Sequence, residues 1–313
     1  MDNTRRVKFI LASMLLVFIG LYIPPLSIVV FFSGIPFMML THKDSLNASL
    51  ICGFISFLLT SFFVPVIISL FLLIVIHIPL SFMGIKIRGS KDLLSNITKG
   101  FILMSIGASL YIALLNNIFD FDFVDQIKTS IVTTIDLMKA NSTQFKQIPG
   151  LMGIDALNNM DINMIVDSVI KIVPSILIFT FILVSTANYF VGGSIIKKLY
   201  KEEDVYEPDF KNIVVPGDPF FGFLTSYILY FVLISTKIVE QDILVSNIII
   251  VFMMIFLLQG IGVTSYLLDK FKVSNLIKYI IIIVSVLMSN ILIMISVLGF
   301  LDSFMNFRKI KRY

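Results

Sequence analysis

The chain has 313 residues, of which 58% are hydrophobic and only 14% are charged. An average soluble domain is about 25% charged, and here the apolar residues stand in long runs. The composition therefore excludes a single soluble core and predicts a polytopic helical membrane protein. The net charge of +4 comes from Lys and Arg beside those runs, which is typical of membrane orientation signals and argues against nucleic-acid binding.

Metal and disulfide chemistry find little support in the sequence. The single cysteine, Cys52, lies inside an apolar run, so no disulfide can form within one chain. The two histidines, His42 and His77, are too few for a histidine-rich metal site. We therefore expect neither a metal nor a cofactor.

The predicted fold class is all-α: a polytopic transmembrane helical bundle of eight or nine hydrophobic segments with external amphipathic helices. A helix needs about 20 apolar residues to cross a bilayer, and the first three runs are shorter. Pro24 and Pro25 separate the first two runs, and Pro65 separates the third from the fourth. The chain thus begins either with short hairpins or with long, proline-kinked helices. The runs are 8–23, 26–40, 48–63, 64–86, 98–116, 167–195, 219–238, 243–266 and 278–301.

The charge distribution predicts how the chain is organised across the cell membrane. Arg5, Arg6 and Lys8 place the N-terminus in the cytoplasm. The stretch 118–165 holds six Asp against three Lys, and we place it outside. The predicted units are an N-terminal bundle of six segments at 1–199 that includes this insert, a cytoplasmic loop at 200–218, and C-terminal helices with a basic tail at 219–313.

The C-terminal third carries an orientation conflict. Nine spans would place the basic tail outside, although Lys and Arg favour the cytoplasm. We expect eight spans in the cell membrane with both termini cytoplasmic, and nine spans are the alternative. A re-entrant run, or two early runs that form one kinked helix, would account for the difference.

The external stretch has two apolar stripes at helical spacing. The first stripe includes Ile127, Ile131 and Ile135, and the second includes Ile154 and Leu157, beyond a "QIPG" separator. These stripes predict two amphipathic helices on the outer surface. A packed surface hairpin is the favoured interpretation, and a lid over a solute site is the alternative.

Polar residues inside the apolar runs are the candidate binding residues, because such groups are costly in a membrane and usually face protein or water. Helix packing is the favoured interpretation of their spacing. A solute cavity under the external helices, lined by the faces of Asn188 and Gln259, is the alternative. The candidates in these runs are Ser185, Asn188, Gln259, Ser289 and Asn290.

The end of the chain adds Asp302 and Arg308 to the candidates. Arg308 lies six residues beyond Asp302, which is nearly opposite on an ideal helix, so a direct pair requires the helix to unwind between them. The favoured interpretation is a helix that leaves the membrane with bases suited to its dipole and to anionic headgroups.

Several segments together resemble a known family. They are "IPPLSIVVFFSGIPFMML", the segment 174–199, "IFLLQGIGVTSYLL", and "LGFLDSFMNFRK" with its G-x-x-D and F-R-K elements. The chain resembles the YybS-like bacterial integral membrane proteins, which have no established activity. Family members often carry an acid where this chain has Asn306. The first six segments are similar to the substrate-binding subunits of energy-coupling-factor vitamin transporters, which implies six helices and borrowed ATPase subunits.

Two functions follow as hypotheses. The first is a transporter-like subunit that binds a small solute, lacks its own ATPase, and works with membrane or ATPase partner subunits in the lipid bilayer. The alternative is a membrane scaffold that docks cytoplasmic partners through the 200–218 loop and the tail. The chain has no GxxxxGK[ST], HExxH or GxSxG sequence, so we do not expect an enzyme.

Overall fold

The computed structural model describes residues 3–86, 93–119, 121–140, 162–201 and 241–310, together with Lys211, Val214 and positions 231–232 and 234–235. Every regular element in these ranges is helical, and the predicted all-α membrane class is confirmed. The helices are α1 Asn3–Tyr22, α2 Ile35–Lys43, α3 Leu46–Thr60, α4 Val66–Met83, α5 Leu93–Ile118, α6 Phe123–Ala140, α7 Ile162–Tyr200, α8 Gln241–Lys270, α9 Asn275–Leu287 and α10 Ser289–Met305.

Within the described residues, five helices are long and apolar enough to cross a membrane. α9 and α10 would add a sixth if they form one broken span. The predicted count of eight or nine stays a prediction, and the run at 219–238 lies almost wholly outside the described residues. The five candidate spans are Pro24–Lys43, Val66–Met83, Asn96–Ile118, Val166–Tyr200 and Ile243–Lys270.

Prolines shape the first spans. Pro24 begins a 3₁₀ helix, Pro24–Phe32, that precedes α2. The run at 64–86 is one helix, but its middle turn is π-helical, and the Ile78 N–H bonds the Leu73 carbonyl five residues back. Pro79 follows directly and lacks the N–H that a regular turn needs. The wider turn therefore accommodates the proline without ending α4.

The last apolar run departs from its sequence pattern. It reads as one helix at 278–301, but the backbone becomes extended at Met288, with φ −97° and ψ 110°, and α9 and α10 meet at 107°. The run contains no proline. Ser289 and Asn290 follow the break, and residues of this kind favour helix starts over helix interiors.

Contacts at the helix ends define one face of the bundle, here called the N-terminal face. Arg6 Nη2 lies 2.8 Å from Asp44 Oδ2, which joins the start of α1 to the end of α2. The Lys43 ammonium lies 4.1 Å from the centre of the Tyr200 ring, which adds the end of α7. Since α7 ends at this face, α7 begins at the opposite one, close to α6. Which of the two faces is cytoplasmic stays a prediction.

Large apolar side chains fill the space between the helices of the N-terminal bundle. In a bilayer such packing is driven by van der Waals contact rather than by exclusion of water, so shape complementarity between the helices matters most. The most deeply buried members come from α1, α2, α4, α5 and α7: Val17, Met38, Leu72, Val75, Ile76, Leu80, Met104, Leu115 and Ile196.

α6 is the first of the two predicted amphipathic helices. Asp122 Oδ1 accepts the N–H groups of Val124 and Asp125 at 2.9 and 3.0 Å, which caps the start of the helix. Ile135, from the predicted stripe, is buried. The second stripe, which includes Ile154, lies almost wholly outside the described residues.

Candidate functional site

The C-terminal candidate site begins with the close crossing of α8 and α10. Both Gly260 and Gly299 lie where an added Cβ would collide with backbone of the other helix, at the carbonyls of Ile295 and Phe256 respectively. Small residues let helices approach in this way within a membrane. The approach places Gln259 of α8 against the last turn of α10.

One carboxylate oxygen of Asp302 accepts three side-chain hydrogen bonds. Asp302 Oδ2 accepts Gln259 Nε2 at 3.0 Å, Arg308 Nε at 3.2 Å and Arg308 Nη2 at 2.8 Å. The Asp302 and Arg308 side chains are each only 1% exposed. Charge-assisted bonds of this kind are stronger than neutral ones, and a buried charge without a partner would be costly.

Asn306 makes the pair possible because it ends α10. It adopts the left-handed conformation, with φ 47° and ψ 53°, which Asn tolerates better than most residues. Its carboxamide accepts the Ile310 N–H at 3.0 Å and donates to the Ile310 carbonyl at 3.1 Å. The chain therefore turns back after α10, and Arg308 reaches Asp302. This is the unwinding that the six-residue spacing requires for a direct pair.

Arg308 also donates a hydrogen bond to one residue of the 200–218 loop. Its Nη1 donates to the Lys211 carbonyl at 2.7 Å. One guanidinium thus joins the end of α10 to a segment 97 residues earlier in the chain. Arg308 therefore contacts both Lys211 and Asp302, and Asp302 in turn accepts a hydrogen bond from Gln259 of α8.

The other candidates lie elsewhere. Asn188 Nδ2 donates to the Phe31 carbonyl at 3.0 Å and to the Val184 carbonyl at 2.8 Å. The Ser185 hydroxyl donates to the Ile97 carbonyl at 2.8 Å. Both residues therefore join α7 to its neighbours in the N-terminal bundle. Asn290 is exposed, and the side chain of Ser289 is not described.

An open cavity of about 570 Å³ lies along α6, and its lining differs from that of the predicted solute cavity, which stays a prediction. Neither Asn188 nor Gln259 lines it. The cavity is bounded by α6, by Phe121 before that helix, and by the start of α7. Its lining is Phe121, Phe123, Gln126, Ile127, Ser130, Ile131, Thr134, Ile135 and Val169.

A buried polar network around His77 was not among the predicted sites. His77 Nε2 lies 3.2 Å from the Ser33 hydroxyl and 3.5 Å from the Ser13 hydroxyl. The Ser81 hydroxyl donates to the His77 carbonyl and lies 2.8 Å from the Ser49 hydroxyl. These bonds join α1, α3 and α4. The sequence did not indicate this network, because its serines lie in separate apolar runs that only the fold brings together.

A second network that the sequence did not indicate lies at the proline of α7. Asn247 of α8 accepts the Ser175 N–H on Oδ1 at 3.2 Å, and its Nδ2 donates to the Lys171 carbonyl at 2.7 Å. In a regular helix those two backbone groups would bond each other. Pro174 interrupts the regular hydrogen-bonding pattern of this turn, and the carboxamide of Asn247 bonds both groups.

These features define an integral membrane protein with several helical spans and a buried ion pair near its C-terminus. The chain belongs to the family described as predicted membrane proteins (DUF2232), whose family model matches residues 11–303. No curated protein and no solved structure matches the chain. The likeness to the YybS-like proteins and to vitamin-transporter subunits stays a prediction.

Proposed function

We propose that this protein is a transporter-like membrane subunit that binds a small solute and relies on a partner subunit for ATP hydrolysis. The observation that carries the proposal is the cavity of about 570 Å³ between α6 and the start of α7. Ligand pockets typically measure about 300–1,000 Å³. The role proposed is binding rather than catalysis, and any energy for transport comes from another protein.

The lining of the cavity indicates the chemistry of the solute. Most lining side chains are Ile, Val or Phe, so the larger part of the solute is apolar. Gln126, Ser130 and Thr134 follow each other at four-residue spacing and therefore lie along one side of α6. They offer one amide, the Ser130 hydroxyl, and the Thr134 hydroxyl as an acceptor, since it donates its proton to the Ser130 carbonyl at 2.8 Å. A solute with a hydrogen-bonding group at one edge therefore fits best.

Thermal-shift screening of the purified protein tests this proposal. Vitamins and nucleobases are screened together with more apolar compounds, and we expect at least one to raise Tm in a concentration-dependent way. Ser130→Trp, which fills the cavity, should abolish that shift. Thr129→Trp is the matched control, because Thr129 is exposed on α6 and does not line the cavity. A panel without any stabilising compound, or equal shifts in both variants, would contradict solute binding there.

A scaffold that docks partners through the 200–218 loop is the second candidate. The bond from Arg308 to the Lys211 carbonyl favours it, because that bond gives part of the loop a defined position against the tail. Lys211 itself is exposed. A docking surface benefits from such preorganisation, since less conformational entropy is lost on binding.

Site-specific crosslinking distinguishes the scaffold from the subunit. A photoreactive residue at position 211 should capture one cytoplasmic protein, and Arg308→Gln should reduce that capture. The same photoreactive residue at position 128, on exposed α6, serves as the control. If both positions capture the same proteins, or if Arg308→Gln changes nothing, the loop is not the docking surface.

A further inference from the structure

Two of the candidate spans are interrupted within their apolar length. Pro24–Lys43 begins as a 3₁₀ helix and becomes α-helical only after Ser33 and Gly34. Val66–Met83 contains the π-helical turn Leu72–His77. Single π turns occur frequently at functional sites, and interrupted helices form the ion sites of many transporters. A functional site is therefore expected where two such interruptions meet.

The two interruptions pack against each other. A Cβ added to Gly34 would lie 3.1 Å from the Ile76 carbonyl oxygen, inside the π turn. The Ser33 hydroxyl lies 3.2 Å from His77 Nε2, and α1 adds the Ser13 hydroxyl at 3.5 Å. This contact between Ser33 and His77 is here called the His77 crossing. It places an ionisable side chain at the point where both spans depart from regular α-helix.

His77 is enclosed at the crossing. It is only 2% exposed, and the centre of the Phe37 ring lies 4.8 Å from the centre of the imidazole. His77 Nδ1 has no hydrogen-bond partner within the part of the chain that the structure describes. Ionisable residues are costly within a membrane, and those that occur there typically carry protons or ions. His77 therefore has the position of a proton-binding residue.

The surrounding helices offer His77 no counter-charge. Among the described residues, its side chain forms hydrogen bonds with the two serines and no ion pair. The Asp44 carboxylate, at the end of α2, is paired with Arg6 on the N-terminal face. The charged side chains of these helices lie toward the helix ends. The titratable side chains between those ends are His42 of α2, Cys52 of α3, Tyr111 of α5 and Tyr189 of α7, and His77 bonds none of them.

Protonation would change what His77 requires from its surroundings. A neutral imidazole has one N–H group and one acceptor nitrogen, whereas an imidazolium has two N–H groups and a positive charge. The serine hydroxyls lie at Nε2, so a second N–H group at Nδ1 would stay unsatisfied in the packed arrangement. A buried charge with an unsatisfied donor is costly. Entry of water to the crossing would remove that cost.

We propose that His77 binds a proton from water and that this binding opens the His77 crossing. Neutral His77 belongs to the packed arrangement of Ser33 against the π turn. The imidazolium belongs to an arrangement in which these segments separate and water reaches the ring. The same proton returns to water when the crossing closes, so the two equilibria are coupled. The site is separate from the cavity along α6, and the proposal does not depend on solute binding there.

Cys52 provides a reporter for the opening, because it is the only cysteine of the chain. It is 4% exposed and packs with Phe37, while its neighbour Gly53 faces His77. The experiment measures the alkylation rate of Cys52 by N-ethylmaleimide in the purified full chain as the pH falls. Each rate is divided by that of the chain unfolded in sodium dodecyl sulfate at the same pH, because the thiolate fraction itself depends on pH.

The matched variants are His77→Gln and His42→Gln, which replace the two histidines of the chain one at a time. In the unmodified chain we expect the corrected rate to rise as the pH falls from about 8 to about 5, the range in which histidine titrates. One linked proton gives a rise of at most about tenfold per pH unit. His42→Gln should keep this rise, and His77→Gln should abolish it. A corrected rate that is independent of pH in the unmodified chain, or the same rise in His77→Gln, would overturn the proposal.

Ring ¹⁵N NMR of the histidine-labelled chain tests the same proton without a change at position 77. In the His42→Gln variant the labelled ring is that of His77. We expect its nitrogen shifts to change from the neutral to the protonated form over the same pH range as the Cys52 rate. A ring that stays neutral while Cys52 becomes reactive would overturn the proposal, because another group would then control the opening.

Discussion

Replacing Asp302 by Asn removes the negative charge from the Asp302–Arg308 pair and preserves the shape of the side chain. The guanidinium would then lack the charge that its Nε and Nη2 groups face, while it stays only 1% exposed. Removing one partner of a buried ion pair costs about 3–5 kcal/mol. We expect Asp302→Asn to lower the free energy of unfolding by about this amount.

The Arg6–Asp44 pair is the matched control for this prediction. Its N–O distance is also 2.8 Å, but the Arg6 and Asp44 side chains are 35% and 15% exposed. Solvent screens a partly exposed ion pair, and fully exposed pairs contribute only about 0–1 kcal/mol. Asp44→Asn should therefore cost clearly less than Asp302→Asn.

Reversible unfolding in mixed micelles measures these differences. The double variant of Asp302→Asn and Arg308→Gln should lose less stability than the sum of the two single variants, because the two residues are coupled by their direct hydrogen bonds. The reasoning would be refuted if Asp302→Asn cost no more than Asp44→Asn. Strict additivity in the double variant would refute it equally, since independent residues add.

Two further substitutions test how the helices are joined. Gly260→Ala should destabilise the protein, because the added Cβ collides with the Ile295 carbonyl, and unfolding in micelles measures the loss. Asn247→Ala should cost about 1–3 kcal/mol, because it removes the carboxamide that bonds the Ser175 N–H and the Lys171 carbonyl beside the α7 proline. The controls are Gly192→Ala, whose Cβ meets only side chains, and Asn290→Ala at an exposed position. Each prediction would be contradicted if its variant lost no more stability than its own control.

The C-terminal site shows how far sequence reasoning reaches. The spacing of Asp302 and Arg308 required a break in the helix for a direct pair, and Asn306 provides that break. Gln259 was a candidate binding residue because it is a polar residue inside an apolar run. Nothing in its own segment indicated that Asp302 would be its partner. That contact depends on the close crossing at Gly260 and Gly299, which a single sequence does not specify.

The sequence by itself determined the membrane class, the apolar runs and the amphipathic character of α6, because these properties depend on local composition and periodicity. Only the tertiary structure decided that the last run breaks at Met288, that Asn247 bonds backbone groups beside the α7 proline, and that Ser33 lies against His77. These features depend on contacts between residues far apart in the chain. Such contacts depend on the shapes of the packed helices. The apolar periodicity of a segment indicates which of its residues are buried, but it does not indicate which other segment packs against them.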